Sequence, residues 1–262
     1  MISSLHVFIY ILENQLDYMK TNFSLDGTIV DLTHDYSNET IYWPTEQGFE
    51  LKEEFDGITE KGYYYSAKKF SAPEHGGTHM DAPIHFAKNG KTIDQILLSD
   101  LIGNCAVIDV SEKSLGDSDY QISVSDIENW ESSFGTLPDS CIVLFYTGYC
   151  KHWPDRSKYL GTSKIGKEAL SELHFPGLHP KACEWLVENR KIKAIGLDTQ
   201  SIDYGKSSEF ETHQILCSKN IPFFENVANL DKLPAINSLV IALPMKIKDG
   251  SGAPLRIIAI IP

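Results

Sequence analysis

The chain has 262 residues, of which 42% are hydrophobic and 23% charged, a balance that excludes an intrinsically disordered protein. Its formal net charge of −13, with no cluster of Lys or Arg, excludes the basic stripe that nucleic-acid binding requires. The apolar stretches at 6–12 and 257–261 fall far short of the roughly 20 residues that span a bilayer.

Taken in chain order, residues 1–20 read as an N-terminal extension or arm ahead of a single domain over 21–262. Leu5–Leu12 is apolar, but no Lys or Arg precedes it and Glu13-Asn14-Gln15 follows, so a packed arm is expected rather than an export signal. Met19 is an alternative start. Strands are expected at Thr28–Leu32, Tyr63–Phe70, Cys105–Val110, Cys141–Tyr146, Ala194–Leu197, Pro222–Glu225, Leu239–Leu243 and Arg256–Ile261, where short apolar runs are rich in β-branched residues. Helices are expected at Ser123–Trp130, His179–Asn189 and Glu211–Lys219. The second has Pro180 at a first-turn position and Trp185, Leu186 and Val187 as apolar bulk. Interleaved strands and helices give an α/β fold with a mixed sheet and packed helices. The Gly and Pro content of Gly161–Gly177 reads as a surface excursion. Five scattered cysteines, with no C-x-x-C pair, read as buried free thiols of a reducing compartment, the cytoplasm.

Chemistry concentrates in Pro73–Phe86. His75, His79, Asp81 and His85 all fall at odd positions, and Pro83 with Gly76-Gly77 disfavours a helix. Extended backbone would turn these four groups to one face. Imidazoles with one carboxylate suit zinc, manganese or iron(II) while leaving positions open for water and substrate. A bound cation lowers the pKa of its water and polarises a carbonyl, and an unligated histidine nearby can move protons. His34, His152 and His174, by contrast, read individually as hydrogen-bonded core residues. A second set, Asp198, Asp203, His213 and Glu225, follows a short strand, where α/β sheets commonly place ligands. The aspartates read equally well as turn caps, and a helix returning into a strand could bring His213 and Glu225 together.

His75–Phe86 reproduces H-G-G-T-H-x-D-x-P-x-H-F; Asp31–His34 and Trp43-Pro44 precede it, and Gly196–Asp203, His213, Glu225-Asn226 and Asn229-Leu230 follow in order. With these residues the chain resembles the cyclase-like metal-dependent hydrolases, which include kynurenine formamidase and isatin hydrolase. The resemblance implies a swivelling β/β/α domain and a homodimer or homotetramer. It further implies His75, His79 and Asp81 as ligands of one or two Zn2+ or Mn2+ ions, His213 and Glu225 completing the site, and His85 as catalytic acid/base. The implied reaction is hydrolysis of a small aryl formamide or cyclic amide, with no nucleic-acid or membrane partner. Trp43 and Phe86, together with Tyr42, are candidate walls for an aromatic substrate.

The chain departs from the family pattern at Thr45, where many members have Gly, and at Thr212, where many formamidases have a histidine beside His213. Phe175–Leu178 and Gly250–Pro254 look more like the isatin-hydrolase branch. Two rival readings stand beside this one. His79, Asp81 and His213 could form the two-His-one-carboxylate site of an iron(II) oxygenase, or the chain could be a non-catalytic metal-containing binding protein.

Overall fold

The computed structural model describes residues 27–262, so the expected arm over 1–20 and the alternative start lie outside the described residues. Twelve strands are present among them: β1 (Thr28–Asp31), β2 (Glu50–Ile58), β3 (Tyr64–Ser71), β4 (His79–Asp81), β5 (Ile102–Asp109), β6 (Gln121–Ile122), β7 (Ile142–Tyr146), β8 (Gly177–Leu178), β9 (Ala194–Leu197), β10 (Phe223–Glu225), β11 (Ser238–Pro244) and β12 (Gly252–Ile261). The three longer helices are α1 (Val124–Phe134), α2 (Pro180–Asn189) and α3 (Glu211–Ser218). The expected α/β class with a mixed sheet is what forms.

The main sheet runs β1-β12-β11-β5-β7-β9-β10-β4, and β4 pairs back onto β12. Seven of its strands therefore close into a ring, with β1 added outside. Closure depends on the length of β12. Leu255–Ile260 pairs with β11, while its other edge serves β4 through Gly252–Pro254 and β1 through Ile258–Ile261. β5, β7, β9 and β10 are mutually parallel. Covered on both faces, such strands read as continuous apolar runs, and all five residues of β7 are buried.

Alternate residues of these strands feed two cores. Cys105, Val107, Ile142 and Leu144 pack inward with Met80, Phe224, Val240 and Ile257. Ala106, Ile108, Val143 and Phe145 pack outward beneath Ile127 and Trp130 of α1, Leu186 of α2 and Leu216 of α3. The strand period of two thus builds an interior and a helix-covered layer from the same segments. Pro180 opens α2 as expected, with the His179 side chain accepting the Lys181 N–H at 3.0 Å.

The fold departs from the sequence reading at Gly161–Gly177 and at β2. Gly161–Gly177 is only partly a surface excursion, because Leu173 and Phe175 are buried with Ile41, Tyr149, Tyr159 and Leu160 in a third apolar cluster. Trp43 and Trp153 pack against that cluster, so the segment backs one wall of the site described below. The unexpected strand β2 pairs with β3 as a separate ribbon. Its residues Glu50, Lys52, Glu53, Glu54 and Asp56 mask the period of two, and most of the ribbon is exposed on both faces. No helix among the described residues is long and apolar enough to cross a membrane. All five cysteines are free, four of them buried.

Candidate metal centre

The motif segment does not converge by simple alternation along one strand, as its parity implied. Only His79–Asp81 is strand, and Pro83–His85 is a single 3-10 turn. Between His75 and His79 the chain reverses at Gly76 (φ 151°) and Gly77 (φ 58°). A Cβ at Gly76 would lie 2.1 Å from the Tyr42 ring, so the position requires glycine on steric grounds as well. Tyr42 is accordingly a buried support behind the glycine and not a cavity wall.

Strand pairing brings the second set to the first. In the β4–β10 register His79 lies opposite Glu225 and Asp81 opposite Phe223. His213, on the first turn of α3, points at the same place: its Nε2 is 3.6 Å from Asp81 Oδ2 and 3.5 Å from Glu225 Oε1. Asp81 is the centre of the cluster. Its Oδ1 is 2.8 Å from His75 Nδ1 and 3.1 Å from His79 Nε2, while its Oδ2 is 3.7 Å from His85 Nε2. His79, Asp81, His213 and Glu225 are all less than 5% exposed.

The far nitrogen of each ring separates the four histidines. His79 Nδ1 donates to the Gly77 carbonyl at 2.9 Å. His213 Nδ1 donates to Asp203 Oδ2 at 2.6 Å. His75 Nε2 donates to Ser251 Oγ at 2.9 Å, and Ser251 Oγ donates in turn to Glu74 Oε2 at 2.6 Å. Such outer acceptors fix the tautomer and aim the remaining lone pair, the arrangement of metal-binding imidazoles. No such acceptor holds His85, which stacks on His75 with ring centroids 3.8 Å apart.

Burial and charge divide the titrations. Burial would raise the Asp81 carboxyl, but the surrounding histidines hold it well below the usual carboxylate range. Burial and then the charge of Asp81 push Glu225 well above it. Burial opposes a charge on His213, yet its bonds to Asp203 and Asp81 outweigh this and hold it at about 10. For His75 burial likewise acts downward, and Asp81 reverses the sign. Burial lowers His85 to about 4, leaving a neutral ring at pH 7.

These residues fit a divalent cation. His79 Nε2 is buried without a hydrogen bond, although two carboxylates lie within 3.4 Å. Two buried carboxylates side by side are costly unless positive charge joins them. His75, His79 and Asp81 form one group of converging ligand atoms, and Asp81, His85 and His213 form a second. A cation entering at neutral pH would displace the proton that His213 carries.

The cluster opens into a cavity of about 320 Å3 whose lining includes Trp43 and Phe86, the two expected walls. Phe210 and Gln200, which the sequence reading missed, line it too. Phe210 sits in the left-handed region (φ 52°) just before α3, its ring 6.1 Å from Trp43 and 5.7 Å from Phe86. Its position three residues before His213 was the available signal. Asp198 and Asp203 do more than cap turns. Asp198 accepts Thr147 N–H at 2.7 Å and Thr147 Oγ1 at 2.6 Å, tying β9 to β7. Asp203 accepts the Thr212 and His213 N–H groups as well as the His213 ring. Thr212 turns away from the cavity and donates to the Leu178 carbonyl at 2.8 Å. His34 stacks on Trp153 with centroids 4.3 Å apart.

A family model described as "Putative cyclase" matches residues 30–204. The chain belongs to the cyclase family. It is 33% identical over 198 residues to isatin hydrolase of Roseibium aggregatum, covering 72% of each chain. It is 28% identical over 227 residues to kynurenine formamidase of Bacillus cereus, covering 87% of this chain and 94% of that one. Among solved structures, isatin hydrolase A from Labrenzia aggregata bound to benzyl benzoate superposes with a TM-score of 0.81 at 30% identity, over 94% and 99% of the two chains. His213 and Glu225 lie beyond the span of the cyclase-family match, so the β4–β10 register and α3 carry their assignment to the cluster.

Replacing Asp203 with Asn keeps an acceptor for the α3 N–H groups but removes the charge that orients His213. Metal affinity, measured by competition with a chromogenic chelator, is expected to fall about 10- to 100-fold with the melting temperature little changed. An unaltered affinity would remove His213 from the site.

Proposed function

We propose that this member of the cyclase family is a metal-dependent amidohydrolase acting on a small aryl formamide or a cyclic amide. The observation that carries the reading is the convergence of His75, His79, His85 and His213 on Asp81, with Glu225 beside His79 and His213, at the floor of an aromatic-walled cavity. His75, His79 and Asp81 hold zinc or manganese, and His213 with Glu225 completes the site or holds a second ion. Such a cation supplies Lewis acidity and a lowered pKa for water.

The chain's own residues do the rest. Trp43, Phe86 and Phe210 give the substrate ring an apolar seat, and a volume of about 320 Å3 suits a bicyclic or monocyclic aromatic amide. His85, neutral and without an outer acceptor, takes a proton from the attacking water. It returns one to the departing amide nitrogen, as a general acid must if nitrogen is to leave. The iron(II) oxygenase reading is not favoured. Its three ligands, His79, Asp81 and His213, are present, but Glu225 and His75 crowd the same centre and the matched relatives are hydrolases.

We propose further that the β2–β3 ribbon is covered by a second copy of the chain in a homodimer or homotetramer. An isolated two-stranded ribbon is marginal in water, and Leu51, Ile58, Tyr64, Tyr65 and Phe70 are each more than half exposed. Light scattering of a chain carrying Ile58→Glu and Tyr64→Glu is expected to report a smaller species than the parent. An unchanged mass would place the interface elsewhere.

Metal-free protein reconstituted separately with zinc and manganese, and given isatin or N-formylkynurenine, is expected to hydrolyse at least one of them only when metal is bound. The His85→Ala variant is expected to lose about 10²- to 10⁴-fold in kcat while retaining its metal. Full metal occupancy with neither compound cleaved would sink the substrate class. Loss of metal in His85→Ala would make His85 a ligand.

A further inference from the structure

Gln200 is the polar side chain of the cavity that the metal cluster does not use. It is 3% exposed, and its Oε1 is buried without any hydrogen-bond partner. A buried amide left unpaired is expensive, and native structures rarely keep one without a reason. The other polar linings outside the cluster are accounted for. Glu46 is exposed, and Ser201 Oγ accepts the Asp203 N–H at 3.2 Å.

The loop that presents Gln200 is fixed on both sides. Thr199 Oγ1 donates to the Ser201 carbonyl at 3.0 Å, and the Thr199 carbonyl accepts the Asn226 N–H at 2.8 Å. The Ile202 N–H donates to Glu225 Oε1 at 2.7 Å. The loop is thereby tied both to Glu225 of the cluster and to the residue that follows it. A recognition group held on such a frame stays aimed without the substrate having to order it.

Resting on the amide-hydrolase reading, we propose that Gln200 is a specificity-determining residue whose Oε1 accepts the N–H of the substrate amide while the amide carbonyl faces the metal cluster. A secondary amide or lactam presents a carbonyl acceptor and an N–H donor side by side. A cation held by the cluster would meet the first, and the Gln200 acceptor meets the second. Substrates whose nitrogen carries a methyl group would leave Oε1 buried and unpaired, which is the stronger form of discrimination available to a closed site.

The test compares the parent chain with Gln200→Met, which keeps the side-chain volume and removes the acceptor. Each is assayed, metal-loaded, on isatin against N-methylisatin and on formanilide against N-methylformanilide. The expected result is a loss of about five- to tenfold in kcat/KM on the N–H member of the pair that the parent cleaves. The N-methyl member changes by less than twofold, and metal content and melting temperature are unchanged. An equal loss on both members, or none on either, overturns the assignment of Gln200 and leaves the amidohydrolase standing. A metal-loaded parent that cleaves none of the four compounds overturns the amide reading itself, and this assignment with it.

Discussion

Everything in the site depends on a three-residue strand held on both edges. β4 is only His79–Asp81, yet β10 pairs with one side of it and the start of β12 with the other. A strand of that length has no stability of its own. Its position is set by the closure of the seven-stranded ring, which requires β12 to be long enough to reach both β4 and β11. The reward is registration. His79 and Asp81 project from a fully buried strand, and Glu225 arrives directly opposite His79 from a segment nearly 150 residues away.

The electrostatics follow from that placement. Asp81 and Glu225 are brought into low-dielectric surroundings close to one another, where two negative charges cannot both persist unaided. The histidines around Asp81 keep it ionised, while Glu225, backed by the Ile202 N–H, retains a proton well above the usual range. In the metal-free cluster the balancing positive charge is carried by protons on His213 and His75. The outer acceptors on His75, His79 and His213 turn lone pairs inward toward the place where a cation would supply it. His85, stacked on His75 and facing the cavity, is left with the freedom that proton transfer needs.

Much of this was legible in the sequence because metal ligation is local chemistry. Three histidines and an aspartate within eleven residues, interrupted by two glycines and a proline, announce convergence whatever the backbone does. The route of convergence was another matter. Alternation along a strand was the natural reading of odd spacing, whereas the chain uses a glycine reversal before His79 and a 3-10 turn that ends at His85. The apolar strands were legible because burial on two faces writes continuous hydrophobic runs. β2 was not, because an exposed ribbon writes no such pattern. Gln200 and Phe210 were hidden for a different reason. Nearness to Asp203 and to His213 marked the neighbourhood, but only the folded ring makes the β9–α3 connection the wall opposite Trp43 and joins both residues to one cavity.

What most needs testing is that the cluster on the outer face of β4 and β10 holds a metal. Anomalous diffraction collected at the zinc and manganese absorption edges, from crystals of protein loaded with each ion, tests it directly. A peak enclosed by His75, His79 and Asp81 is expected, with any second peak between Asp81, His213 and Glu225. Peaks confined to half-buried histidines outside the cavity, such as His152 or His179, would contradict it.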